Sequence, residues 1–188
     1  MIIIINGPSG SGKTTLGDYF GSLGLKEIVS TTTRSPREGE IDGVSYYFVT
    51  EDEFFARERV EESFYSGNYY GVTKKEVESK IGRGESAYVS LDIKGALRFK
   101  ELYPDDTILI YLKVSRTLIR RRMFQRGESI KTIRQRLMHH RTTREDLNGQ
   151  FADYIIYNHK SLNDLKKQGL KILKAEGIIE QNKVETIS

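Results

Sequence analysis

The sequence predicts an α/β fold with a parallel sheet flanked by helices, and three observations carry that prediction. Short apolar, β-branched runs alternate with stretches of helical spacing along most of the 188 residues. The first run, Ile2-Ile3-Ile4-Ile5, leads straight into a glycine-rich turn, Gly7-Pro8-Ser9-Gly10-Ser11-Gly12-Lys13-Thr14. A hydrophobic fraction of 37% in a chain of this length supports a sizeable core, while no apolar run approaches the length of a membrane span.

Taken in order, Ile2–Ile5 reads as a buried strand. It is too short for a signal sequence, and it lacks a basic start. Residues 14–23 follow as a helix. Residues 87–91, 107–113 and 153–157 read as further strands, and 94–103, 116–126, 130–147 and 161–174 have helical spacing. Alternation of this kind implies a parallel sheet covered on both faces. Two stretches interrupt it. Residues 34–80 are rich in Gly, Tyr and charge, with short strands expected at 46–49 and 69–72, and they read as a small inserted lobe. Residues 127–130 break two Arg-rich helices and read as a mobile lid. The tail after Gly177 is polar and is expected to fray.

Charge is uneven. The net charge is +4, yet residues 115–144 hold ten Lys or Arg and one acid, Glu128, while residues 51–62 hold six acids and two arginines. The chain has no cysteine, which excludes disulfides and Cys-type zinc sites and fits a reducing cytoplasm. The basic segment has no aromatic-rich RNA motif beside it, so no nucleic-acid partner is expected. Nor is a membrane partner expected.

Strand, glycine loop, Lys, Thr, helix is the order a triphosphate needs. Gly7, Gly10 and Gly12 let backbone N–H groups turn inward, and Pro8, Ser9 and Ser11 complete the loop. The following helix offers its N-terminus to the anion. Lys13 reaches the β- and γ-phosphates, the Thr14 hydroxyl suits Mg²⁺, and Thr15 is the neighbour placed for the α-phosphate. The alternative is a chance glycine-rich turn, which the flanking strand and helix disfavour. Guanine-reading Asn-Lys-x-Asp motifs of GTPases are absent, which favours an ATP-using kinase.

Further along stand Ser30-Thr31-Thr32-Thr33-Arg34-Ser35-Pro36-Arg37-Glu38-Gly39-Glu40 and Ser66-Gly67-Asn68-Tyr69-Tyr70-Gly71. With the loop, these motifs make the chain resemble the guanylate kinase family from the loop to about Asn158. The chemistry is consistent with that. Arg34 and Arg37 form a fork for a phosphate, and Tyr46 and Tyr70 offer hydroxyls to the same oxygens. Glu61, nine residues before Tyr70, can accept two hydrogen bonds from adjacent N–H and NH₂ donors, which guanine has and adenine lacks. Taken singly, each tyrosine also fits plain packing and Glu61 a surface carboxylate.

The resemblance implies that Arg34, Arg37, Tyr46 and Tyr70 hold the acceptor phosphate and that Ser30 and Glu61 contact the base. It puts Asp92 near Mg²⁺ and the acceptor, so that the implied metal residues are Thr14 and Asp92. Arg126 and Arg136 would clamp the transferring phosphate, Arg122 would hold the donor nucleotide, and Asn158 would contact its adenine. Lys13, Arg34, Arg126 and Arg136 form the implied catalytic set. Arg120, Arg121, Arg134, Arg141 and Arg144 read as solvated helix faces, and His139 and His140 receive no role. Two departures stand out. Val72 occupies the place where the family usually has Ser or Thr, and Leu91-Asp92-Ile93-Lys94-Gly95 is shorter than the family's Asp-x-Asp-x-x-Gly and lacks its second acid. Base reading is therefore expected to be weaker than in a typical member, and Val72→Ser is expected to tighten GMP binding by about 1 kcal/mol.

The full expectation is an α/β P-loop NTPase core with a parallel sheet flanked by helices, a small inserted acceptor-binding lobe and an Arg-rich lid. Residues 1–33, 81–125 and 137–188 form the core, 34–80 the GMP-binding lobe and 126–136 the lid, all within one domain over 1–175. The activity the resemblance implies is transfer of the ATP γ-phosphoryl group to GMP, with Mg²⁺ as cofactor. A kinase for another nucleotide or a ribose phosphate, and a silent guanylate-kinase-like binding module, are the alternatives. The oligomeric state is not legible.

Overall fold

The computed structural model describes residues 1–65, 67–81 and 85–180. Ser66 of the tyrosine motif and the end of the polar tail lie outside the described residues. The elements run β1 (Ile2–Asn6), α1 (Lys13–Ser22), β2 (Lys26–Glu27), β3 (Thr31–Thr32), β4 (Tyr47–Phe48), α2 (Glu51–Phe55), β5 (Arg59–Tyr65), β6 (Asn68–Thr73) and α3 (Lys74–Ile81). They continue with β7 (Ala87–Ser90), α4 (Ile93–Leu102), β8 (Thr107–Lys113), α5 (Arg116–Gln125), α6 (Ile130–Thr142), a 3₁₀ helix (Glu145–Phe151), β9 (Tyr154–Tyr157) and α7 (Leu162–Ala175). The result is the predicted α/β fold. Its five-stranded sheet has the order β2-β7-β1-β8-β9, with parallel register between β2 and β7 and between β8 and β9. Ile2–Ile5 are fully buried, as a continuous β-branched run in a sheet covered on both faces must be. No described helix is long and apolar enough to cross a membrane.

The chain divides into two compact units, and β1 runs through both. One comprises Met1–Ile4 and Gly24–Thr107, the other Ile5–Leu23 and the residues from Ile108 onward. The first unit carries a four-stranded sheet of order β4-β3-β6-β5, in which β6 pairs antiparallel with both β3 and β5. Its acidic run has a local cause. Thr50 caps α2 in a reciprocal box with Glu53, and Glu51, Asp52 and Glu53 fill the first turn, where carboxylates suit the helix dipole. The second unit packs Leu16, Phe20, Leu109, Leu112, Ile156 and Leu173 into its core. In the same unit Val114, Ile119, Met123 and Ile133 form a cluster, with Leu118 and Leu137 against it, that holds α5 to α6.

The expected helix over 130–147 is corrected. Helix α6 stops at Thr142, Arg144 adopts a left-handed φ of 52°, and a 3₁₀ helix follows. No glycine or proline marks this break. It is set by tertiary bonds: Glu145 accepts from His140 Nδ1 at 2.9 Å, and its carbonyl accepts from the Tyr111 hydroxyl at 2.8 Å. Strands β2, β3 and β5 and helices α2 and α3 are additions to what the periodicity predicts.

Candidate active site

The phosphate loop lies wholly in the second unit. Gly12 caps α1 with φ 102°, a conformation open to glycine at little cost, and a Cβ there would lie 2.7 Å from Asn158 Nδ2. Helix α1 has no side-chain cap and no acid in its first turn, so its N-terminal N–H groups stay available to an anion. Thr14 and Thr15 are exposed in that first turn. Ser11 Oγ is buried without a hydrogen-bond partner among the described residues. An uncapped helix start beside an orphaned hydroxyl is the donor-rich surface a phosphate chain would satisfy.

Lys13 Nζ donates to Gly7 O at 2.6 Å and Pro8 O at 3.2 Å. Burial lowers its pKa to about 8; Glu145 raises it, and Arg126 and Arg136 lower it. Glu145 is a neighbour that motif reading missed. It is held by His140, which is 5% exposed and belongs to the interior, where the sequence assigned it no role.

Arg122 and Asn158 meet at the loop. Arg122 Nη2 donates to the carbonyl and the side-chain oxygen of Asn158, both at 3.2 Å, and Asn158 Nδ2 donates to Ser11 O at 2.8 Å. Both side chains thus brace the loop backbone itself. Arg136 Nη1 donates to Ser9 Oγ at 3.0 Å and to Glu128 Oε1 at 3.1 Å, and Arg126 Nη2 donates to the same carboxylate oxygen at 2.5 Å. Arg120, Arg121, Arg134, Arg141 and Arg144 are exposed.

The acceptor set lies wholly in the first unit. Arg34 forms a two-pronged bond to Glu40, at 2.8 and 2.9 Å, and its guanidinium stands 5.4 Å from the Tyr46 ring and 5.7 Å from Phe48. The Glu40 bond raises the Arg34 pKa, as does a side-chain hydrogen bond with Tyr70. In turn Arg34 holds the Glu40 carboxyl below its ordinary range. Tyr46 and Tyr70 sit edge to face with centroids 6.0 Å apart, and burial raises the Tyr46 pKa. Arg37 is exposed, and its backbone N–H donates to Glu40 at 2.7 Å. Ser30 is half-buried, and its carbonyl accepts from Tyr47 N at 2.9 Å.

Glu61 lies on β5 opposite Val72 of β6 and is 9% exposed. Its carboxylate rests on Gly95, where a Cβ would come within 2.8 Å of Oε2, so any larger residue at that position would displace it. Burial, and then Asp92, raise its pKa to about 8, against a lowering hydrogen bond from the Val72 backbone. Asp92 is the N-cap of α4 and accepts from Gly95 N at 2.9 Å. Val72 is fully buried, and the neighbouring Thr73 hydroxyl accepts from Glu76 N at the start of α3.

The guanylate kinase family profile matches residues 1–176. A guanylate kinase from Wolinella succinogenes is 38% identical over 93% of this chain and 83% of its own. One from Clostridium acetobutylicum is 35% identical over 100% and 89%. Among solved structures, a guanylate kinase from Anaplasma phagocytophilum superposes with a TM-score of 0.72 at 27% identity, covering 96% of this chain and 87% of that one. A shikimate kinase from Acinetobacter baumannii, at TM-score 0.51 and 17% identity over 93% and 92%, shares the fold. On this evidence the chain belongs to the guanylate kinase family.

Proposed function

We propose that the protein transfers the γ-phosphoryl group of ATP to the phosphate of GMP, giving ADP and GDP. The observation that carries this reading is a buried carboxylate, Glu61, in the same unit as a Tyr-flanked Arg34. Within that unit Glu61 suits a base with two adjacent donors, and Arg34 with its tyrosines suits a phosphate.

In this reading residues 34–80 form the acceptor lobe and 126–136 a lid. Arg34, Arg37, Tyr46 and Tyr70 hold the GMP phosphate, and Ser30 and Glu61 hold the guanine. The loop from Gly7 to Thr15 cradles the ATP phosphates, with Arg122 and Asn158 keeping its backbone in shape and bordering the donor nucleotide. The attacking group is a phosphate oxygen of GMP, already an anion, so no strong general base is needed. Lys13, Arg34, Arg126 and Arg136 balance the charge that spreads over the moving phosphoryl group. Among the described residues no group of three or more His, Cys, Asp or Glu gathers to cage a metal. The donor set therefore suits an ion that arrives with the nucleotide: Thr14 and Asp92 would hold Mg²⁺ together with phosphate oxygens, and the ion would neutralise phosphate charge. A cysteine-free chain of this kind suits the cytoplasm.

A coupled assay with ATP and GMP, AMP, CMP or UMP tests the proposal. GMP is expected to be the preferred acceptor. Strong turnover of another acceptor beside equal or absent GMP turnover would overturn the assignment, and absence of turnover with any acceptor would favour a binding module.

A further inference from the structure

We propose that Glu128 is a positioning residue for phosphoryl transfer, holding Arg126 and Arg136 as one pair of cations aimed at the transferring group. The inference rests on the reading above, in which these arginines meet that group.

Glu128 is the single acid among residues 115–144. A carboxylate present merely to thin a basic surface would face solvent, yet this side chain is only 16% exposed. It sits in the turn after Gly127, where its backbone N–H donates to Met123 O at 3.2 Å, and the apolar cluster of α5 and α6 fixes both sides of that turn. Oε1 accepts from Arg126 at 2.5 Å and from Arg136 at 3.1 Å. Oε2 lies 3.0 Å from Arg136 Nη1 but makes no formed hydrogen bond, so that contact is electrostatic.

One negative charge therefore serves two guanidiniums that would otherwise repel. The two arginines differ in what else holds them. Arg136 also bonds Ser9 of the phosphate loop, whereas Arg126, with 55% of its side chain exposed, is tied only to Glu128 among the described residues. Without that tie Arg126 would sample solvent, and ordering it again would fall on the transition state.

A latch that hides the arginines from phosphate is the opposite reading, and the geometry disfavours it. Glu128 does not draw Arg136 off the loop, since Nη1 bonds Ser9 and Glu128 together. Each guanidinium has five N–H donors, and most stay available to phosphoryl oxygens.

The test is steady-state kinetics with ATP and GMP on four proteins: wild type, Glu128→Gln, Arg126→Ala, and the double variant, with melting curves for each. Glu128→Gln is expected to lower kcat by about tenfold while KM for ATP changes by less than about threefold. In the Arg126→Ala background the same substitution should change kcat by less than about twofold, because Arg126 is the arginine that depends on Glu128 for its position, while Arg136 keeps its bond to Ser9. An unchanged or raised kcat in Glu128→Gln overturns the inference, and a raised one indicates a latch. Equal losses in both backgrounds overturn it in favour of a purely structural role. Should Glu128→Gln fail to fold, Glu128→Asp carries the same comparison. A wild type that does not phosphorylate GMP removes the functional reading itself, whereas an active wild type with an indifferent Glu128 removes this inference alone.

Discussion

With Glu61 as the proposed guanine contact, acceptor binding should depend on pH by an amount that follows from the surroundings of this carboxyl. Burial and Asp92 hold its carboxyl at about 8 in the free protein, against an ordinary 4.5. Guanine presents two N–H donors, so the bound form needs the carboxylate, and a protonated Glu61 would set donor against donor. With that value, about one molecule in eleven is ionised at pH 7 and about three in four at pH 8.5, so GMP affinity should rise about eightfold, on the order of 1 kcal/mol. Binding should release about 0.9 proton at pH 7 and about 0.25 at pH 8.5. The acceptor phosphate, which ionises near pH 6, stays dianionic throughout.

Titration calorimetry with GMP alone, in two buffers of different ionisation enthalpy, measures both quantities. Omitting ATP keeps Lys13, which titrates in the same range, out of the signal. Glu61→Gln should flatten the profile. A wild-type affinity that does not change with pH, with no proton released, would refute the argument. The same shift acts on folding. The unfolded chain loses this proton near 4.5 while the folded one keeps it, so the stabilisation is full below 4.5 and is lost as pH rises through about 8.

Three further residues carry predictions. Lys13→Met should lose about 2 kcal/mol or more of transition-state stabilisation in kcat/KM. ATP binding at pH 8 should draw about half a proton onto wild-type Lys13, and none in that variant, by calorimetry in paired buffers. The depressed Lys13 pKa works against folding at neutral pH: its contribution is present above 10.5 and lost as pH falls through about 8, so Lys13→Met should melt no lower than wild type at pH 7. Full burial of Val72 makes Val72→Thr, close in volume, a better probe than Ser. It should cost about 1–2 kcal/mol in urea unfolding, and should gain about 1 kcal/mol in GMP affinity where the hydroxyl reaches the base. Glu40→Gln removes the charge from the two-pronged bond that orients Arg34, and initial rates should show KM for GMP raised about fivefold with kcat little changed.

What was legible in the sequence, and what was not, divides along physical lines. The phosphate loop is a contiguous device in which a fixed spacing of glycines, Lys13 and Thr14 is itself the structure. Strands β7 and β8 are apolar runs whose burial is written in their composition. Strand β5 was hidden because Arg59, Glu61 and Glu62 spoil its alternation, although Glu61 turns inward for a chemical reason. The break at Arg144 was hidden because His140 and Tyr111, not a glycine, impose it.

The carboxylates Glu40 and Glu128 were hidden for a third reason. The sequence signal of a phosphate site is its cations, and beside them an acid reads as dilution of charge. In the folded chain each does the reverse. Glu40 follows Arg34 by six residues and returns to grip it across a turn, and Glu128 lies between Arg126 and Arg136 and touches both. A long guanidinium side chain loses about 2 kcal/mol of rotamer freedom when it is fixed. An internal carboxylate meets that cost during folding, so that it does not fall on substrate binding or on the reaction. The arrangement works only while the pairs keep a net positive character toward phosphate, as the two arginines on the one carboxylate of Glu128 do. Arg34 has a carboxylate of its own, so in the proposed acceptor site the positive character toward phosphate would rest on Arg37, whose side chain is exposed, with the Tyr46 and Tyr70 hydroxyls as added donors.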